Sequence, residues 1–371
     1  MNLNVGGIQS QILQLLRFYE KKKGINLSLI TKYSEFKPLT NMVKIYEIHK
    51  FKNFYLDTIY FIFKSFLKII KIHRKNPISI INIHFYGVIH ITSLLIRLLF
   101  NIPILMKIPL DFDSYEYAIL HSKNKSIFSR YINFCWFKTF KYLFLQKIDY
   151  IRAVNNKIYE DLMDFEYPNE RILRIPNGIK FKDFIEIPKN FHKEIHFGFV
   201  GRLIELKNIR FLLVVFNEYF KLHRTDKLYF YGNGPELKYI KNFIDKNNLN
   251  KNISVCGFEK SKKKIYSNID VLIDPAFAQG ISNANLEAMC TNTFLIASNT
   301  PGNRDLINHQ KTGLLFNPKD YNDLLSQLIY YKENKEKRNE IVRNAKDRII
   351  RDFNIDRIAE KIIKFIIKKL K

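Results

Sequence analysis

Ten short apolar runs, rich in β-branched residues, alternate with longer amphipathic stretches, and this alternation restricts the chain to an α/β architecture. The first five runs are 26–31 (NLSLIT), 78–84, 103–108 (PILMKI), 149–154 (DYIRAV) and 171–175. The second five are 195–200 (IHFGFV), 227–231 (KLYFY), 252–256 (NISVC), 270–274 (DVLID) and 293–298 (TFLIAS). Helices are expected between them, at 8–22, 129–147, 205–223, 235–247, 283–291 and 320–332. A Pro/Lys-containing, weakly patterned link, IEIPKNFHKE (185–194), separates the two sets. With 371 residues, too many for one ordinary core, the pattern predicts two Rossmann-like domains with a ligand cleft between them.

Charge narrows the partners. The chain has 61 Lys and Arg against 35 Asp and Glu, a net charge of +26. Residues 1–150 hold 22 basic and 8 acidic residues, so that region alone carries +14. Such a field attracts phosphorylated substrates, anionic lipid or nucleic acid. No recognition-helix, zinc or RNP-type motif supports nucleic acid, and none is expected as a partner. The three cysteines, Cys135, Cys256 and Cys290, match no metal or disulfide spacing, which fits a reducing cytoplasm. The uncharged stretch 78–96 has the nominal length of a membrane span. Its β-branched start, Gly87 and two histidines read instead as a buried strand (78–84), a turn and a buried helix (88–100). Two helical stretches, 51–75 and 126–147, mix Phe, Tyr and Trp136 with Lys and Arg. They read either as core-facing helices with a solvated basic face or as helices lying against an anionic membrane.

The residues with chemical potential follow strand ends. GRLIELKN (201–208) puts Gly201, Arg202 and Lys207 after a strand and near a helix start, a combination suited to a diphosphate. YGNGPELKYI (231–240) and Gly257-Phe258 are further turns where backbone can approach a ligand. Each is weak alone. Together VGRLIELKN, YGNGPEL, VCGF, DPAFAQGISNANLEAMC, TPGNRDLI and GLLFNPKD occur in an order and spacing that resemble the retaining glycosyltransferases of family 4, which have the GT-B fold. The resemblance extends upstream to GGIQSQILQLLRFY (6–19), the family's glycine loop and first helix, and to RIPNGIKF (174–181), with Lys180 where Asp is usual. DFNIDRIAEKIIKFI (352–366) resembles the terminal helix that crosses back to the first domain.

The resemblance implies two Rossmann-like domains with parallel sheets facing across a cleft. The expected boundaries are 1–187 for the acceptor-binding domain, 188–350 for the nucleotide-sugar domain and 351–371 for the crossing helix. It implies that Arg202 and Lys207 neutralise the donor diphosphate and that Glu287 accepts hydrogen bonds from the ribose. Gly280, Ile281, Ser282 and Asn283 would cradle phosphate at a helix N-terminus, with Ser282 or Asn283 able to cap it. Gly257 and Phe258 would lie against the nucleobase, and Gly6 and Gly7 would approach the phosphates from the first domain. The implied reaction moves a sugar from a UDP- or GDP-type donor to an acceptor hydroxyl with retention, in surface polysaccharide or lipopolysaccharide assembly. No metal and no cofactor is expected, and the acceptor would be a glycan or lipid-linked. The enzyme would be cytoplasmic, with peripheral contact to an anionic membrane.

Three departures bear on catalysis. The family's first motif Glu is Gln279, which cannot supply a negative charge, so an impaired or inactive homologue that binds donor or acts as a partner subunit is the alternative. A GT-B enzyme using phosphate, or one epimerising a nucleotide sugar, would share the donor residues. The family's His-Asp after the fourth strand is replaced by KIPLDFDS (107–114), making Lys107, Asp111, Asp113 and His84 candidates for local chemistry. The family also has a strand before the glycine loop, for which MNLNV is barely long enough, so a start further upstream or a natural truncation is expected.

Overall fold

The computed structural model describes the chain apart from residues 1–6, 33–36, 39, 53, 85–88, 121–125, 185 and 371. The first domain contains α1 (Gly7–Tyr19), β1 (Leu27–Thr31), β2 (Val43–Glu47), α2 (Phe54–Lys75), β3 (Ile81–Ile83), α3 (Ile89–Phe100) and β4 (Ile104–Ile108). It continues through α4 (Phe112–Leu120), α5 (Ile127–Thr139), β5 (Tyr150–Ala153), α6 (Asn156–Asp164) and β6 (Ile172–Arg174). The second domain runs β7 (His196–Val200), α7 (Ile209–Leu222), β8 (Lys227–Tyr231), α8 (Leu237–Lys246), β9 (Ile253–Gly257), α9 (Lys262–Asn268) and β10 (Val271–Asp274). Then follow α10 (Asn283–Cys290), β11 (Phe294–Ser298), α11 (Pro301–Leu306), β12 (Leu314–Phe316), α12 (Tyr321–Glu333), α13 (Lys335–Asp352) and α14 (Ile355–Leu370).

All pairings are parallel. The second sheet has the order β12-β11-β10-β7-β8-β9, so its direction of winding reverses between β7 and β10. In open α/β sheets such a reversal opens a crevice at the carboxyl ends of the two central strands. Those ends are Val200 and Asp274. Strands β7, β10 and β11 are almost wholly buried on both faces, which explains their continuous apolar runs. In the first domain β3-β4-β5-β6 form one sheet, and β1-β2 form a separate pair.

The two faces of the first domain's larger sheet are covered differently. Ile104, Met106, Ile108 and Ile151 pack with Leu94, Phe112 and Phe137 from α3, α4 and α5. Leu105, Leu173 and Ile175 face the other way, against Leu15 and Tyr19 of α1 and Ile355, Ile358 and Ile362 of α14. Helix α14 thus packs on the first domain after the chain has completed the second.

The expected runs became strands, with two further strands added, and one expected helix is divided. β2 and β12 were not expected; VKIYE is interrupted by charge at Lys44 and Glu47, and LLF is only three residues long. The helix expected at 129–147 ends at Thr139 and continues as a π turn and a 3-10 turn, Phe140–Phe144 and Leu145–Lys147. The stretch 78–96 forms β3 and the start of α3, and no described helix is long and apolar enough to cross a membrane.

Candidate active site between the two sheets

The carboxyl ends of β7 and β10 bring together a set of polar side chains that the flanking apolar runs hold in place. Arg202 follows β7 and is exposed, and no ion pair holds its guanidinium among the described residues. Lys207 ends a single 3-10 turn, Glu205–Lys207, whose exit is fixed by Asn208 in the left-handed region and by its side-chain bond to Pro318 O at 3.0 Å. Lys207 Nζ donates to Gln279 Oε1 and lies 3.9 Å from Asp274 Oδ1. Gln279 Nε2 in turn donates to Asp274 Oδ2 and to Asn303 Oδ1, the latter at 3.3 Å. Asn285 Nδ2 also reaches Asp274 Oδ2 (2.7 Å) and Asn303 Oδ1 (2.9 Å). Asn303 is anchored by its own donation to Ser298 O at 2.9 Å. Asp274, Asn285 and Asn303 were not singled out from the sequence, since Asp274 reads as the end of an apolar strand.

Helix α10 enters this network with its N-terminus. Neither side chain expected to cap it does so: Ser282 is the N-cap residue but makes no side-chain bond there. Asn283 is drawn across the cleft instead, donating to Gly7 O at 3.0 Å and accepting from Gln11 Nε2 at 2.9 Å. The first-turn N–H groups of Asn283, Ala284 and Asn285 therefore have no acceptor among the described residues, the arrangement that suits an anion. Gly280 is set where it is by packing, because a Cβ there would collide with the carbonyl oxygen of Pro109 in the first domain. Ile281 turns its side chain into the core and offers only backbone, its carbonyl accepting from Asn177 Nδ2 at 3.0 Å.

Glu287, on the inner side of α10, is buried but paired. Its Oε2 accepts from Tyr266 Oη and Lys262 Nζ, each at 2.8 Å. Both partners belong to α9, whose KKKIYSN sequence reads as an ordinary charged surface turn, so neither was foreseen. No donor occupies Oε1 among the described residues, which leaves it free to accept from a ligand. Burial next to this carboxylate pushes the Tyr266 hydroxyl well above the usual tyrosine range and keeps it a donor. At the sheet edge Gly257 adopts φ +70°, a conformation open to glycine at no cost, and its carbonyl accepts from Gly232 N at 2.7 Å. Phe258, next to it, is 55% exposed.

On the first-domain side, Gly7 starts α1 and Gly6 lies outside the described residues. His84 follows β3, and its Nδ1 is buried with no hydrogen-bond partner among the described residues. Lys107 and Arg152 are register partners on β4 and β5, both buried, and no carboxylate pairs with either among the described residues. Arg152 is satisfied by the carbonyls of Ile175, at 3.0 Å, and Pro176. Burial and the neighbouring cations push His84 and Lys107 well below their ordinary pKa values, and burial lowers Arg152 to about 10. No contact joins His84 to Gln279 among the described residues. Asp111 accepts from Ser114 N at 2.9 Å at the start of α4, and exposed Asp113 lies 3.5 Å from Lys157, so both have local structural partners. Further contacts draw the domains together: Asn156 Nδ2 donates to Asp305 Oδ1 at 2.9 Å, beside an interdomain cavity of about 280 Å³.

Comparison with known proteins identifies the family. Residues 5–182 match the family model "Glycosyltransferase Family 4", and residues 180–348 match "Glycosyl transferases group 1". A poly(ribitol-phosphate) alpha-N-acetylglucosaminyltransferase of Staphylococcus aureus is 24% identical over 197 residues, 53% of this chain and 39% of that protein. The chain thus spans well under half the length of that relative. A Campylobacter jejuni alpha-1,4-N-acetyl-D-galactosaminyltransferase, named for an undecaprenol-diphosphate-linked substrate, is 27% identical over 257 residues, 66% of this chain and 68% of that protein. Among solved structures, Anabaena HepE in complex with UDP superposes with a TM-score of 0.72 at 14% identity, covering 98% of this chain and 96% of that one. The two family models together account for nearly the whole chain, and it belongs to the family 4 glycosyltransferases with the GT-B fold.

Proposed function

We propose that the chain transfers a sugar, with retention, from a nucleotide diphosphate donor to the hydroxyl of a glycan or lipid-linked acceptor in surface-polysaccharide assembly. The observation that carries this reading is the convergence of Arg202, Lys207, the open first turn of α10 and Glu287 at one end of the second sheet. Arg202 and Lys207 meet the diphosphate, the α10 N–H groups take its oxygens, and Glu287 Oε1 accepts from the ribose. Gly257 and Phe258 border the base, and Gly7 with the glycine loop closes from the first domain. During transfer the bond from the anomeric carbon to the diphosphate breaks and the acceptor oxygen bonds to that carbon. The leaving diphosphate's charge is met by the two cations and the helix N–H groups, and the proposal assigns no metal to this task. The UDP complex of HepE favours a uridine donor over a guanosine one.

The first domain's outer flank supports a membrane-proximal, cytoplasmic enzyme. Helices α3 and α5 cover one face of the sheet and α2 packs beside α3. Their outward sides expose Leu56, Ile59, Phe63 and Leu67, then Leu98 and Leu99, then Ile127 and Phe128. Lys64, Lys71 and Arg74 lie along the same exposed side of α2, so the flank combines apolar area with positive charge.

The test is a panel of UDP- and GDP-sugars with purified protein, following nucleoside diphosphate release and the anomeric configuration of the product. Saturable donor binding that weakens at least tenfold in Arg202→Ala and in Glu287→Ala is expected. Unchanged binding in both variants would remove the site assignment. Tight binding with no turnover on any acceptor would favour the inactive-homologue alternative.

A further inference from the structure

Gln279 stands where the family motif has a glutamate, and its surroundings reassign the missing charge. Asp274 is 5% exposed and accepts from two amides, Gln279 Nε2 and Asn285 Nδ2. An ionised carboxylate can only accept, so the atom that Gln279 turns toward it has to be nitrogen. The second acceptor of that nitrogen, Asn303 Oδ1, is held by Asn285 and, through its own amide, by Ser298. Both amide hydrogens of Gln279 are thus engaged on the inner side, and Oε1 is left pointing at Lys207. Lys207 is one of the two cations assigned to the diphosphate, so donor binding would draw it away and vacate Oε1.

We propose that Asp274 is a positioning residue and that Asp274 and Gln279 act together as one displaced carboxylate. Asp274 carries the charge, and Gln279 presents an oxygen, oriented and polarised by that charge, to a hydroxyl of the transferred sugar. The inference rests on the donor-site reading above. It also makes Gln279 a matched component of its site, since a glutamate there would place a second carboxylate against Asp274.

A charge exchange tests it. Affinities for UDP and GDP, and for their hexose and N-acetylhexosamine derivatives, are measured by calorimetry alongside thermal unfolding. The readout is the preference for the best sugar nucleotide over its parent diphosphate. Both substitutions keep side-chain shape. Asp274→Asn is expected to reduce that preference at least tenfold while the protein still binds the nucleoside diphosphate. Gln279→Glu is expected to reduce it similarly and to lower the Tm. The double variant D274N/Q279E exchanges amide and acid, and is expected to recover most of the sugar preference but only part of the Tm, because the new amide at 274 donates to the new acid at 279 and cannot also accept from Asn285 at the same atom. If Gln279→Glu does not fold but the double variant does and keeps its sugar preference, the proposal is equally supported. Losses that multiply in the double variant overturn it, as does a Gln279→Glu protein equal to or better than wild type. So does coupling confined to Tm, which would make the network purely structural. A wild type that binds neither nucleoside diphosphate overturns the donor-site reading itself, and this inference with it.

Discussion

Replacing Gly280 with Ala perturbs the cleft at a point where the backbones of the two domains lie close together. The added methyl would meet the backbone carbonyl of Pro109, which cannot turn aside as a flexible side chain could. Reaching ordinary van der Waals separation requires the carbonyl to withdraw by roughly 1 Å. The other close atom, Val154 Cγ2 at 3.8 Å, is already in ordinary contact and imposes nothing. Gly280 is not among the glycines with positive φ, so the alanine brings no backbone strain of its own. The simplest relief is for the second domain to stand off from the first. A misplacement of about 1 Å in a catalytic geometry costs about 100-fold in rate, equivalent to about 2.7 kcal/mol of transition-state stabilisation. Gly6 and Gly7 apart, the residues assigned to the nucleotide belong to the second domain, so its affinity should fall by much less than the rate. The assay is nucleoside diphosphate release from the donor, alongside calorimetric binding of the nucleoside diphosphate. An unchanged rate would show that turnover does not pass through this closed contact. A loss of nucleotide affinity as large as the loss of rate would place the effect in the phosphate cradle, refuting the interdomain argument.

Two further outcomes are expected. His84 and Lys107 are held below their unfolded pKa values, so the unfolded chain binds more protons and stability rises with pH between the folded and unfolded values of each. For His84 this means stability lost as pH falls below about 6.5, with a slope of up to about 1.4 kcal/mol per pH unit. For Lys107 it means stability gained as pH rises toward about 10.5. Urea unfolding of His84→Gln and Lys107→Met as a function of pH should show the acid-side and alkaline-side slopes shrinking respectively; unchanged slopes would refute the assignment. Ile59→Asp combined with Phe63→Asp should lower partition onto vesicles containing anionic lipid at least tenfold without changing nucleotide affinity, and wild-type protein that ignores such vesicles would remove the membrane-proximal reading.

The central strands were legible because they are buried on both faces and therefore read as unbroken apolar runs. β2 was not, since two of the five residues of VKIYE, Lys44 and Glu47, are charged, in a two-stranded pair. Within the site, Arg202, Lys207, Gly280 and Glu287 were legible as a spaced set after strand ends. Their partners were not. Lys262 and Tyr266 lie more than 20 positions before Glu287, and Asn303 lies 24 after Gln279, so only the folded chain brings them together. The capping expectation failed for a related reason: Asn283 has the right chemistry for a cap, but Gly7 and Gln11 of the other domain compete for the same amide. Local sequence offers no means of judging that competition.

The packing of α14 also sets an order of events during synthesis. Leu105, Leu173 and Ile175 form an apolar face that Ile355, Ile358 and Ile362 complete, and Ile355 is made 180 residues after Ile175. At about 5–20 residues per second, that interval is roughly 9–36 s. By its end the second domain has all it needs to fold, while the earlier-made domain has waited with part of its core open to water. The nascent chain should therefore be most prone to aggregation, and most dependent on a chaperone, in the domain that was translated first.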